Sequence, residues 1–74
     1  MKKKLTRWYE GPPPEIGWWP ASVAWDTESI RWWNGKEWSL PVTQAASAKE
    51  AAKAAKRPQI LGQEFICWTD RWWL

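Results

Sequence analysis

The feature that most constrains this chain is Asn34-Gly35, set between two aromatic runs, Ile30-Arg31-Trp32-Trp33 before it and Lys36-Glu37-Trp38-Ser39 after it. A two-residue loop of type I′ needs positive φ at both central positions, which Asn and Gly tolerate. The sequence therefore predicts a tight hairpin in which Trp33 faces Lys36, Trp32 faces Glu37, Arg31 faces Trp38 and Ile30 faces Ser39. Strand side chains alternate, so one face carries Arg31, Trp33, Lys36, Trp38 and Leu40, and the other Ile30, Trp32, Glu37 and Ser39. Neither face is wholly polar. The hairpin is either covered on both sides or shows indole rings to a partner, and the high average burial of Trp favours cover.

The neighbouring stretches extend this hairpin. Leu5 to Tyr9 alternates as a short strand. Gly11-Pro12-Pro13-Pro14 predicts a piece of polyproline II, read either as a ligand for another protein's aromatic groove or as a segment lying on this protein's own indoles; the density of nearby rings favours the second. Gly17 to Trp25 reads as the next strand, with Trp19, Ala21, Val23 and Trp25 on its more apolar side and Pro20 marking an edge, a bulge or a strand start. A polar turn at 26–29 completes a three-stranded meander from Trp18 to Leu40.

The texture changes at Thr43. From there to Arg57 the composition is that of a helix, capped by Thr43 or by a Ser47 to Glu50 capping box and closed by Pro58. Lys49, Lys53 and Lys56 share one stripe and Ala48, Ala51, Ala52 and Ala55 the other, which suits a solvated lysine face over alanines docked on indoles. A final strand over 65–73 crosses back to the first strand or to the edge of the meander. The fold expected is α+β, a single domain over residues 1–74. It comprises an antiparallel sheet of four to five short strands, near 5–9, 18–25, 30–33, 36–40 and 65–73, packed against one Ala-rich helix near 44–57.

Composition restricts the chemistry. His is absent and Cys67 is the single cysteine, so an intrachain disulfide and a Cys/His zinc site are both excluded, and ten Trp must supply the core. No cofactor is implied. Without His, acid–base work would fall to carboxylates, lysines or Tyr9, and none sits in a paired or Gly-framed arrangement; the chain reads as non-enzymatic. The net charge of +3 gives mild attraction to acidic surfaces. Met1 to Arg7 resembles the charged part of a signal peptide without the apolar core that should follow, and no run approaches the roughly 18 apolar residues of a membrane span. These points and the unpaired cysteine lead to an expectation of a cytoplasmic protein.

Binding is the remaining class. Trp and Arg dominate interface energies, and Arg31 opposite Trp38, with Lys36 beside Trp33, would form cation–π pairs. The candidate partner-binding patch is thus Trp33, Trp38, Arg31 and Lys36. The competing candidate is a nucleic-acid surface made by Lys49, Lys53, Lys56 and Arg57.

Gly17-Trp18-Trp19-Pro20-Ala21-Ser22, followed by Arg31-Trp32-Trp33-Asn34-Gly35-Lys36-Glu37-Trp38-Ser39, resembles small Trp-rich proteins of tailed bacteriophages and prophages. The likeness extends to the Pro-rich approach, the Ala-rich middle and the closing Trp68 to Trp73. It implies a phage origin and action in the host bacterial cytoplasm, and brings no activity with it. A weaker resemblance is to WW domains, whose three-stranded meander binds proline-rich peptides. Trp18 or Trp19 would stand for their first Trp, Trp32-Trp33-Asn34 for the aromatic pair and Asn of the second strand, Trp38 for the peptide-binding Trp, and Pro41 for the closing proline. Here Asn34 lies in the turn itself, and the helix and last strand are foreign to that fold. The function expected is an accessory protein of a phage that binds and modulates a host protein. The alternatives are a nucleic-acid binder acting through the basic helix and a structural virion component that self-associates through Trp-rich edges.

Overall fold

The computed structural model describes residues 7–25, 28–71 and 73 of the chain. Three strands form one antiparallel sheet in the order β2-β1-β3, where β1 is Gly17–Ser22, β2 is Ile30–Trp33 and β3 is Cys67–Trp68. One helix, α1 (Ala48–Ala55), and a 3₁₀ turn at Gln63–Phe65 complete the regular structure, so the architecture is α+β. Among the described residues three strands stand where four to five were expected. The segments expected at 5–9 and 36–40 contribute isolated bridges instead, Tyr9 to Trp68, Trp33 to Trp38 and Ser39 to Pro58. Leu5 and Thr6, and Trp72 of the expected last strand, lie outside the described residues.

β1 serves two ladders in turn. Its first half pairs with β2, Gly17 opposite Trp33 and Pro20 opposite Ile30, and its second half pairs with β3, Ala21 opposite Trp68. Pro20 occupies the central strand at the point where one ladder gives way to the other, rather than an edge. Ile30 spends both its backbone groups on Val42, so the facing Pro20 directs its carbonyl away from β2. There its carbonyl accepts from Thr69 N at 3.1 Å, beyond the last β3 pair, and the missing N–H interrupts no ladder. β1 also stops at Ser22 rather than Trp25. Val23 and Trp25 are exposed, and Trp25 has φ 57, a left-handed conformation that ends extended pairing.

The turn after β2 corrects the predicted register. Trp25 is the one described non-glycine residue with positive φ, so Asn34 does not take the type I′ conformation. Its side-chain Oδ1 instead accepts from the backbone N–H groups of Lys36 and Glu37, each at 2.8 Å, while Gly35 takes φ 95. The loop therefore holds Asn34 to Glu37, and Trp33 faces Trp38 where the tighter turn would have placed Arg31.

The core lies on one face of the sheet. Trp19, Ala21, Trp38 and Ile66 are buried together, with Trp33 and Trp68 packed against them. Their rings meet at angles typical of aromatic packing, Trp19 with Trp68 at 5.0 Å and 65°, Trp33 with Trp38 at 5.0 Å and 57°. Indole N–H groups reach carbonyls of the Pro-rich approach, Trp19 Nε1 to Glu15 O at 3.0 Å and Trp68 Nε1 to Gly11 O at 2.9 Å. The Pro-rich stretch is thereby tied to the protein's own indoles, and Pro13 within it is buried. Arg71 adds a clamp, its guanidinium 3.9 Å above the Trp19 ring and its Nε donating to Trp18 O.

Candidate functional site

Residues 58–66 decide which sheet face is closed. Trp38 points its backbone polar groups away from Trp33, and the Gln63 side chain meets them: Oε1 accepts from Trp38 N and Nε2 donates to Trp38 O, both at 2.8 Å. A second bond from Nε2 to Gln59 O, also 2.8 Å, fixes the amide in place. Gln63 thus acts as a surrogate strand, and Ile66, which follows it, enters the core.

That covering segment buries part of the expected binding patch. Trp38 is 3 % exposed and Arg31 6 %, so neither lies on the surface. Trp33 is half-buried and Lys36 exposed. Trp33, Lys36 and Trp38 do come together, at a cleft of about 430 Å³ shared with Glu10, Pro12 and Gln63, while Arg31 is not among its lining residues. The expected cation–π pairs are replaced as well: among the described residues the cation over an indole is Arg71 on Trp19. Arg31 Nε and Nη1 have no hydrogen-bond partner among the described residues. Loss of water around the guanidinium lowers its pKa.

The opposite face is open. Trp18 and Trp32, cross-strand partners on β1 and β2, stand edge to face at 5.3 Å and 77°. Across from them runs α1, whose start is the Ser47 to Glu50 capping box: Ser47 Oγ accepts from Glu50 N at 3.1 Å and Glu50 Oε1 from Ser47 N at 3.0 Å. The helix covers 48–55 rather than 44–57, and none of its residues is buried. Its alanine face was expected to dock against indoles. It stands off from them instead, across a groove of about 610 Å³ lined by Trp18, Trp32, Ala48, Ala51, Ala52, Ala55 and Lys56. Methyl groups are too short to close the gap to two indoles already packed on each other. A further cleft of about 270 Å³ shares Trp18 and Ala51 and continues past Ile30 and Val42 to Trp73.

Lys49, Lys53, Lys56 and Arg57 are all exposed. Only Lys56 lines the groove. The alternation of β1 placed Trp18 opposite its apolar side, and the helical wheel gathered the alanines; the groove follows from both once the core is known to occupy the Trp19 face.

Among the described residues no group of three or more His, Cys, Asp or Glu is placed to hold a metal ion, and no helix is long and apolar enough to cross a membrane. Cys67 is a half-buried free thiol within β3. Comparison of the chain with protein-family models, with curated proteins and with solved structures found no match.

Proposed function

We propose that this chain is a non-enzymatic accessory protein of a phage that binds and modulates a host protein, and that its contact surface is the groove between Trp18, Trp32 and the alanine face of α1. The observation that carries the binding role is an apolar helix face left uncovered opposite two half-buried indoles, on the sheet face away from the core. Uncovered apolar surface of this kind marks interaction sites, and Trp anchors dominate the energies of such contacts. The phage setting rests on the resemblance carried by residues 17–22 and 31–39.

The test is a paired pull-down from bacterial lysate with the wild-type chain and Ala52→Trp, which fills the groove from an exposed helix position. A host protein retained after nuclease by the wild type and lost with Ala52→Trp supports the reading. Equal recovery by both chains, or recovery that vanishes with nuclease, refutes it. The exposed Lys49, Lys53, Lys56 and Arg57 favour nucleic acid as the second reading, which predicts binding that falls steeply with salt and with neutralised lysines.

A further inference from the structure

Resting on the groove reading, we infer that the occupant is an acidic amphipathic segment of a partner protein, with apolar side chains seated between the indoles and the alanine face and carboxylates aligned on the lysines. At about 100° per residue, Ala48, Ala51, Ala52 and Ala55 fill an arc of roughly 100°, and Lys56, Lys49 and Lys53 follow on one side at roughly 90°, 110° and 150° from its middle, so that Lys56 stands nearest the groove with Lys49 behind it. Glu50 lies about as far from the alanine arc as Lys53, on the other side of the helix, and its carboxylate is engaged in the N-terminal cap. The groove is thus an apolar trough with Lys56, backed by Lys49, along one wall. Among the described residues, Lys56 is the one charged residue lining the groove and its continuation, and no carboxylate lines either.

Charge complementarity of this kind selects the partner's sign and speeds encounter. Nucleic acid fits less well, because the helix wall offers methyl groups where base edges need hydrogen-bond partners, and Trp18 and Trp32 are already packed edge to face. A basic or neutral amphipathic segment would satisfy the trough and meet repulsion or indifference at the rim.

The probes are two synthetic amphipathic peptides with identical leucine positions, one carrying glutamate and the other lysine at every polar position, together with oligothymidine. Binding is measured by titration calorimetry against the wild type, Ala52→Trp and the triple variant Lys49→Glu/Lys53→Glu/Lys56→Glu, with far-UV circular dichroism confirming that the variants keep their helix. The glutamate peptide should bind about tenfold or more tightly than the lysine peptide, as summed surface charge contacts predict. The triple variant should reverse that preference, and Ala52→Trp should weaken the glutamate peptide by about tenfold. Equal affinity for the two peptides, a preference that survives charge reversal, or failure of the glutamate peptide to bind overturns the inference. If the two peptides bind equally and both are weakened by Ala52→Trp, the groove stands and only the acidic occupant falls. If neither responds to Ala52→Trp, the groove falls too. Oligothymidine that displaces the glutamate peptide assigns the rim to nucleic acid and also overturns the inference.

Discussion

Replacing Arg31 with methionine should make the protein more stable. Arg31 is 6 % exposed, and its Nε and Nη1 lack partners among the described residues. A buried unsatisfied donor costs about 1–3 kcal/mol, and more on a charged group, so two such donors oppose folding by roughly 2–6 kcal/mol. Methionine keeps an unbranched stem against the neighbouring indoles and removes the charge, at a packing cost of about 1 kcal/mol for an imperfect fit. The expected net gain is about 1–4 kcal/mol. In a domain of this size that raises the melting midpoint by about 5 °C or more. The assay is urea denaturation followed by circular dichroism, with an unchanged slope so that the midpoint reports stability alone. Arg31→Lys, which keeps a buried cation, should show no gain. Because burial lowers the Arg31 pKa, protons bind the unfolded state more readily, and stability attributable to this group rises with pH only in the alkaline window between the folded and unfolded values. At neutral pH both states are protonated, so the gain from Arg31→Met should be flat there and shrink only in that alkaline window. A loss of more than about 1 kcal/mol in Arg31→Met would refute the reasoning, since it would mean that the guanidinium contributes to the fold instead of opposing it.

Gln63→Ala strips the buried Trp38 amide of its acceptor while Trp38 O keeps its bond from Gln59 N, so a loss of about 2–3 kcal/mol is expected, with the Trp38 amide among those whose hydrogen exchange quickens most. Ser47→Ala removes the capping box of an eight-residue helix and should reduce far-UV helicity at a cost of about 1 kcal/mol, with the sheet's aromatic signals unchanged. Gly17→Ala places a Cβ 2.8 Å from Arg71 Nη2 at a φ of +145; displacing the Arg71 clamp and straining the backbone should cost about 2 kcal/mol in thermal or chemical denaturation.

Local chemistry was legible and long-range cover was not. The capping box, the alanine and lysine stripes of α1 and the position of the turn after Trp33 can all be read within a few residues. The register could not, because Asn34 has two ways to make a turn, by adopting left-handed φ or by offering its side-chain oxygen to two amides, and the second lengthens the loop. That choice moves Trp38 from Arg31 to Trp33. Which face would close depended on Gln63 reaching Trp38 across 25 residues of sequence, a contact without a local signature. The expected patch of Trp33, Trp38, Arg31 and Lys36 was therefore split between core and surface, and the indoles lining the open groove are Trp18 and Trp32. The strands were overestimated in length because side chains take over backbone bonds at Trp38, whose amide and carbonyl meet Gln63, and at Ser39, whose Oγ accepts from Trp32 N.

The pairing of Tyr9 with Trp68 sets how the domain responds to tension. The two segments run antiparallel, with mutual backbone bonds of 2.7 and 3.0 Å and the Thr69 hydroxyl donating to Arg7 O at 2.6 Å. Force entering at residue 7 and leaving at residue 70 meets these bonds in series, like a zipper opened from its end. It would break Thr69 from Arg7 first, then Tyr9 from Trp68, then β3 from β1, each bond alone rather than all together. The Trp19 core can resist heat and denaturant collectively, yet the fold yields to pulling one link at a time.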